Sequence, residues 1–261
     1  MTNKEWEKEA DLYSQLLITQ TSDVHFGVGI PGNQDLGLIS SCSDRRRALD
    51  IGCGSGENAI ALSSLGYDVL GVDASARQIQ LATNRASQLA NAPSFEVCPA
   101  ESIRFLQGAF SLIISVGVLH FCSNLSGIMR IIQSKLESQG QLILSLPHPV
   151  DMISDYLELD ADIDVRLSSY YPSGQLIRGS RYWRKFGGAK FTGYEFNEYV
   201  YTISDIINMT VDTGLRIDAF LEPICDHQDH YPCRFRAPSE HFVRYYSARV
   251  PQYAILIASK P

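Results

Sequence analysis

Short apolar runs alternate with amphipathic stretches through the middle of the chain. Residues 48–51, 67–72, 95–98 and 110–116 read as buried strands. Between them, apolar positions recur at helical spacing. A helix begins at Glu57, with Ile60, Ala61 and Leu65 able to face a sheet. Residues 76–90 are helical in pattern, and residues 124–136 put Leu125, Ile128, Met129, Ile132 and Leu136 on one face. Ahead of this block, residues 4–20 predict a helix on Trp6, Ala10, Tyr13, Leu16 and Leu17. A loop rich in Gly and Pro follows at 22–35, then a short helix through 36–39. The rhythm breaks at 150–200, which is aromatic and polar and carries Tyr171, Tyr194 and several Arg and Lys. That segment reads as a cap of strands and a short helix, with a hairpin near 183–188.

The turn after the first run carries the chemistry. Residues 52–57 read Gly-Cys-Gly-Ser-Gly-Glu, Asp50 precedes them, and Asp73 closes the next apolar run. Glycines let the backbone turn sharply and let a ligand approach closely. Ligands of an open parallel sheet bind at the carboxyl ends of its strands, and an Asp there suits a ribose diol. A dinucleotide site sets a pyrophosphate on the helix N-terminus. Glu57 in the first helical turn would repel it. It would not repel S-adenosylmethionine (SAM), whose sulfonium and ammonium are positive. Asp50 adds negative charge where an amino group could be held.

Residues 49–62 (LDIGCGSGENAIAL) and 69–75 (VLGVDAS) resemble motif I and the acidic partner of class I SAM-dependent methyltransferases. Residues 111–121 are similar to that family's fourth strand and following loop, and 136–149 to its fifth strand, entered by a turn at Gly140. Residues 202–223 are similar to its last helix and sixth strand, and 251–261 to its antiparallel seventh strand. Bacterial enzymes acting on quinones and natural products look nearest. The resemblance implies an α/β fold, Rossmann-like, with a seven-stranded mostly parallel sheet, an antiparallel last strand and the cap inserted after the fifth strand. It implies one domain over 1–261, with an N-terminal helical lid region at 1–40 and substrate recognition at 150–200. The cofactor would be SAM, leaving as S-adenosylhomocysteine, with no metal required. Asp50, Gly52, Cys53, Gly54, Gly56, Asp73, Ala74, Ala100, Glu101 and Val116 would hold it. The family often carries an Asp before that Ala to meet adenine, and here Pro99 stands there.

His120 and His148 follow the fourth and fifth strands, where either would orient or deprotonate an acceptor. His25, Phe26, Tyr171, Tyr194 and His227 are the expected substrate contacts, His25 and Phe26 from a lid. Cys225, His227, His230 and Cys233 match no standard zinc spacing. The net charge of −7 argues against nucleic acid as partner. No apolar run reaches the length of a membrane span, and the N-terminus lacks the apolar stretch of a signal peptide. The six scattered cysteines read as reduced thiols of a cytoplasmic protein, a monomer or homodimer. The expected function is methyl transfer to N, O or C of a small-molecule acceptor, such as a secondary metabolite, by in-line displacement. An NAD oxidoreductase, a SAM-binding protein without turnover and a protein or RNA methyltransferase are the alternatives.

Overall fold

A computed structural model describes residue 7 and residues 17–159, 162–167, 175–178, 197–235 and 250–261, with only the backbone given at 155–178 and 235. Seven strands form the main sheet. In chain order they are β2 (Arg47–Ile51), β3 (Asp68–Asp73), β4 (Ser94–Val97), β5 (Phe110–Val116), β6 (Leu136–Pro147), β11 (Arg216–Leu221) and β13 (Tyr253–Ser259). Their spatial order is β4-β3-β2-β5-β6-β13-β11. β2, β3, β4, β5 and β6 run parallel, and β13 is antiparallel to both its neighbours. The strand order reverses beside β2, so β2 and β5 flank the natural binding crevice.

Alternation along the strands builds two cores. Leu49, Ile51, Ile113, Leu142, Leu144 and Leu256 face one side, against Leu125, Ile128, Met129 and Ile132 of α4 (Leu125–Lys135) and Ile206 of α6 (Ile203–Asp212). Ala48, Val69, Leu112, Ile114, Ile143, Ile255 and Ile257 face the other, against Ala59, Ala61 and Leu62 of α2 (Glu57–Ser64). Helix starts follow their caps. The Asn124 side chain accepts from Gly127 N at 2.9 Å, and Thr202 with Asp205 forms a capping box before α6.

Several expectations shift. The short helix falls at α1 (Asn33–Leu36) rather than 36–39, because Gly37 takes φ +63° and ends it. Asn33 then binds both Ile39 N (2.7 Å) and Ile39 O (2.8 Å) through its amide. The helix expected over 76–90 stops early as α3 (Ala76–Ala86). Leu17, placed in a helix by its spacing, lies in β1 (Leu17–Thr19), which pairs antiparallel with β12 (Cys233–Phe235). Ile18 and Thr19 are β-branched, which favours that outcome. Trp6, Ala10, Tyr13 and Leu16 lie outside the described residues.

Within 150–200 the described pieces are α5 (Pro149–Ile153), the antiparallel pair β7 (Ser154–Leu159) and β8 (Asp162–Leu167), and β9 (Gln175–Arg178) paired with β10 (Asn197–Val200). Tyr171, Tyr194 and the hairpin expected near 183–188 lie outside them. Among the described residues, all six cysteines are free and buried, and no helix is long and apolar enough to cross a membrane.

Candidate cofactor and acceptor site

The β2–α2 turn is fastened to the end of β3. Gly52 N and Cys53 N donate to Val72 O, at 2.7 and 2.9 Å. Gly54 N donates to Asp73 Oδ2 at 3.1 Å, and Ser75 N to Asp73 Oδ1 at 2.8 Å. Asp73 is thereby locked between the two turns. Gly54 has φ +53° and no atom within 4 Å of where a Cβ would sit, so its open side faces the crevice. Gly56 differs. A Cβ there would fall 2.9 Å from Ala82 and Phe95. Gly56 lines no described cavity, so this expected cofactor glycine instead lets the turn pack on α3.

Two cavities meet at the turn and share Gly52, Gly54 and Val116. The larger, about 160 Å³, is lined by Asp73, Ala74, Gln78, Pro99, Ala100, Glu101, Gly117, Val118 and Phe121, and by Cys98 and Cys122. The smaller, about 70 Å³, is lined by Asp50, Cys53, Ser55, Glu57 and Asn58, and by Leu17, Thr19, His25 and Cys233. The second group arrives from the β1–β12 ribbon and the strap after it. His25 N donates to Asn58 Oδ1 and Asn58 Nδ2 donates to His25 O, both at 2.9 Å. These paired bonds hold the strap on α2.

Buried charge is concentrated in the smaller cavity. Asp50 is 2% exposed and its Oδ2 has no hydrogen-bond partner. Burial, then repulsion from Asp73 and Glu57, pushes its carboxyl up to about 8. Burial also acts to raise Glu57. The Arg85 guanidinium and the Ser55 hydroxyl (2.8 Å) outweigh it and leave Glu57 below its ordinary value. Thr19 Oγ1 donates to the same carboxylate at 3.0 Å. His25 Nδ1 is enclosed without a partner, and burial lowers that ring's pKa.

These features fit SAM. A buried carboxyl oxygen without a partner is a place where a cation would stabilise the charged form, and the SAM ammonium is one. The larger chamber, which Asp73 lines, would take the nucleoside, and the smaller one, which His25 lines, the amino-acid end. Phe26, expected beside it in a substrate lid, is fully buried in the core and offers no surface.

The other histidines separate clearly. His120 is 6% exposed, its Nδ1 has no partner, and burial lowers it to about 3, so the ring is neutral. It sits in a 3₁₀ turn (Leu119–Phe121) just beyond β5, with its ring 3.9 Å from that of Phe121, and like His227 it lines neither cavity. His148 has both ring nitrogens engaged. Nδ1 accepts from Val150 N at 3.1 Å as the cap of α5, and Nε2 donates to Glu222 Oε1 at 2.7 Å. No lone pair is left for an acceptor's proton. The ring ties the end of β6 to the end of β11. His227 lines neither cavity. Its ring lies over Gly29, its Nε2 is 3.5 Å from Cys225 Sγ, and it fastens the strap rather than facing a substrate. His230 pairs with Asp35 at 3.4 Å. Among the described residues, no group of three or more His, Cys, Asp or Glu is placed to hold a metal ion.

Thr19, Asn58, Arg85, Gln78 and Cys233 enter the site without any motif to announce them. Only Asn58 and Gln78 had a local signal, since both sit in the first turns of helices that follow cofactor strands.

The sheet order, the antiparallel β13 and the glycine turn define the class I methyltransferase architecture. A solved S-adenosylmethionine-dependent methyltransferase from Mesorhizobium loti superimposes with TM-score 0.66 at 18% identity, over 87% of this chain and 95% of that one. Residues 49–144 match the family described as a methyltransferase domain. It is 30% identical over 115 residues to the uncharacterised methyltransferase YcgJ of Bacillus subtilis, covering 42% of this chain and spanning about half (46%) of that relative. It is 22% identical to a ubiquinone biosynthesis O-methyltransferase of Parvibaculum lavamentivorans, over 77% of this chain and 68% of that protein.

Proposed function

We propose that the protein transfers the methyl group of SAM to a small-molecule acceptor. The observation that carries the reading is Asp50 Oδ2, a buried carboxyl oxygen without a partner, in a chamber that shares Gly52, Gly54 and Val116 with a larger one. When bound, SAM supplies a methyl group already activated by a positive sulfur. The chain's own part is to bind, orient and exclude water. Asp50 and His25 take the amino-acid end, and Asp73 takes the ribose. Gly54 and Gly117 leave their open sides to the ligand, since a Cβ at either would meet no atom within 4 Å. Holding two reactants in line can lower a barrier by roughly 7–11 kcal/mol.

His120, neutral and unpartnered at Nδ1, orients the acceptor by hydrogen bonding. A ring whose cation is this costly stores a proton poorly. His148 positions the β6 end and does not touch the acceptor. The aromatic segment 150–200 selects it. A relative named as a ubiquinone biosynthesis O-methyltransferase supports a small acceptor, as does the net charge of −7, which disfavours nucleic acid.

The test is incubation with methyl-labelled SAM and an extract of the source cells, followed by separation of small molecules from macromolecules. Label in a small molecule is the expected result, and mass spectrometry identifies the acceptor. Label confined to protein or RNA, or none despite measured SAM binding, would overturn the reading.

A further inference from the structure

We propose that Gln78 reads the adenine of the cofactor through its 6-amino group. The inference rests on the SAM reading above. Gln78 is the third residue of α3 and lines the larger cavity. It is 5% exposed, and its Oε1 is enclosed without a hydrogen-bond partner. Its backbone N–H is already satisfied by Ser75 Oγ at 3.2 Å, so the unmet demand belongs to the side chain. A buried amide oxygen without a donor is costly, and here the chamber is where a donor must come from.

The other side-chain acceptors of that chamber differ from it in being hydrogen-bonded or exposed. Both Asp73 oxygens accept backbone N–H groups at the turn, which fixes them near the ribose. Pro99, on the facing wall, has no side-chain acceptor. Glu101 is exposed. Gln78 therefore holds the enclosed acceptor on the adenosine side. A carboxamide matches the amino edge of adenine, its oxygen accepting from N6–H while its NH₂ donates to N7. A 6-oxo purine breaks this match. Its O6 would face the amide oxygen, and flipping the amide would set that oxygen against N7 instead. Gln78 thus selects an amino purine over an oxo purine.

The experiment is calorimetric titration of the purified protein with S-adenosylhomocysteine and with S-inosylhomocysteine, its 6-oxo counterpart. The wild type is expected to prefer the adenine ligand by roughly tenfold or more. Gln78→Leu should bring the two affinities to within about twofold, chiefly by weakening the adenine ligand, with a melting temperature equal to or above that of the wild type. Gln78→Met, which conserves volume, gives the same readout if the Leu variant folds poorly. A purely structural role would lower both affinities together and leave their ratio intact. A preference that survives in both variants, or no preference in the wild type, would overturn the assignment while leaving the SAM reading standing. Failure of the wild type to bind either ligand would overturn both.

Discussion

Asp50 makes cofactor affinity depend on pH in a way that the geometry fixes. In the free protein its carboxyl sits at about 8, raised first by burial and then by the charges of Asp73 and Glu57. At neutral pH it is therefore mostly protonated. Placing the SAM ammonium against Oδ2 requires the carboxylate, so binding expels a proton. Below pH 8 the affinity falls with each further unit of acid. Above it, the ligand's own amine, with a pKa of about 8, begins to lose its charge. Combining the two equilibria gives binding roughly 25-fold weaker at pH 6 than at pH 8, with an optimum near 8.

The assay is calorimetry of S-adenosylhomocysteine binding from pH 6 to 9 in two buffers of different ionisation enthalpy, which counts the protons released. Methylthioadenosine, which lacks the amino-acid end, is the control and should show no such dependence. Asp50→Asn should bind weakly and lose the acid limb. The same substitution should stabilise the free protein. Asp50 has its folded value above the unfolded one, so its contribution to stability is fully present below the unfolded pKa and lost as pH rises through about 8. Asn removes that loss, worth on the order of a few kcal/mol at neutral pH. A wild-type affinity that is flat between pH 6 and 8, with no proton release, would refute the reasoning.

Four further perturbations separate binding and turnover from packing. Gly54→Ala forces a Cβ into the cavity at φ +53° and should weaken cofactor binding at a stability cost of about 1 kcal/mol. Gly56→Ala, which drives a Cβ against Ala82 and Phe95, should cost roughly 2–4 kcal/mol. Thermal melts with and without S-adenosylhomocysteine distinguish the two. Arg85→Met leaves the Glu57 carboxylate without its guanidinium. Because Arg85 is about a third exposed, the expected cost is about 2 kcal/mol rather than the 3–5 of a fully buried pair, read from urea unfolding. His120→Ala should slow methyl transfer to the identified acceptor by roughly tenfold, the worth of one orienting hydrogen bond, with cofactor affinity unchanged. Since burial holds that ring near 3, the wild-type rate should show no His120 step between pH 5 and 8. A step near 6.5 that vanishes in the variant would contradict the neutral-ring assignment.

What could be read from the chain is what is local along it. The β2–α2–β3 unit needed only the apolar runs, the alternate glycines and the two Asp residues, because the ligand cradle is made within 27 residues of continuous sequence (47–73). The extent and the apolar face of α4 were legible for the same reason. The other wall of the amino-acid chamber was not. Thr19 and Cys233 come from strands far apart in the chain whose pairing no local pattern encodes. Leu17 shows why: three residues of strand carry no helical or alternating period long enough to decide between the two. His25 and Phe26 are adjacent and were expected to share a role. The strap nonetheless sends one side chain into the chamber and the other into the core. His148 was misjudged on the same ground, since position at a strand end is visible in sequence while engagement of both its nitrogens is set by Val150 and Glu222. The division has a functional meaning. Under the proposed function, the half of the site made by the glycine turn and Asp73 is written in one segment, while the half made by the ribbon and strap is assembled from distant ones. Substitutions in the ribbon and strap should therefore change how fast the cofactor enters and leaves more than they change the cradle that holds it.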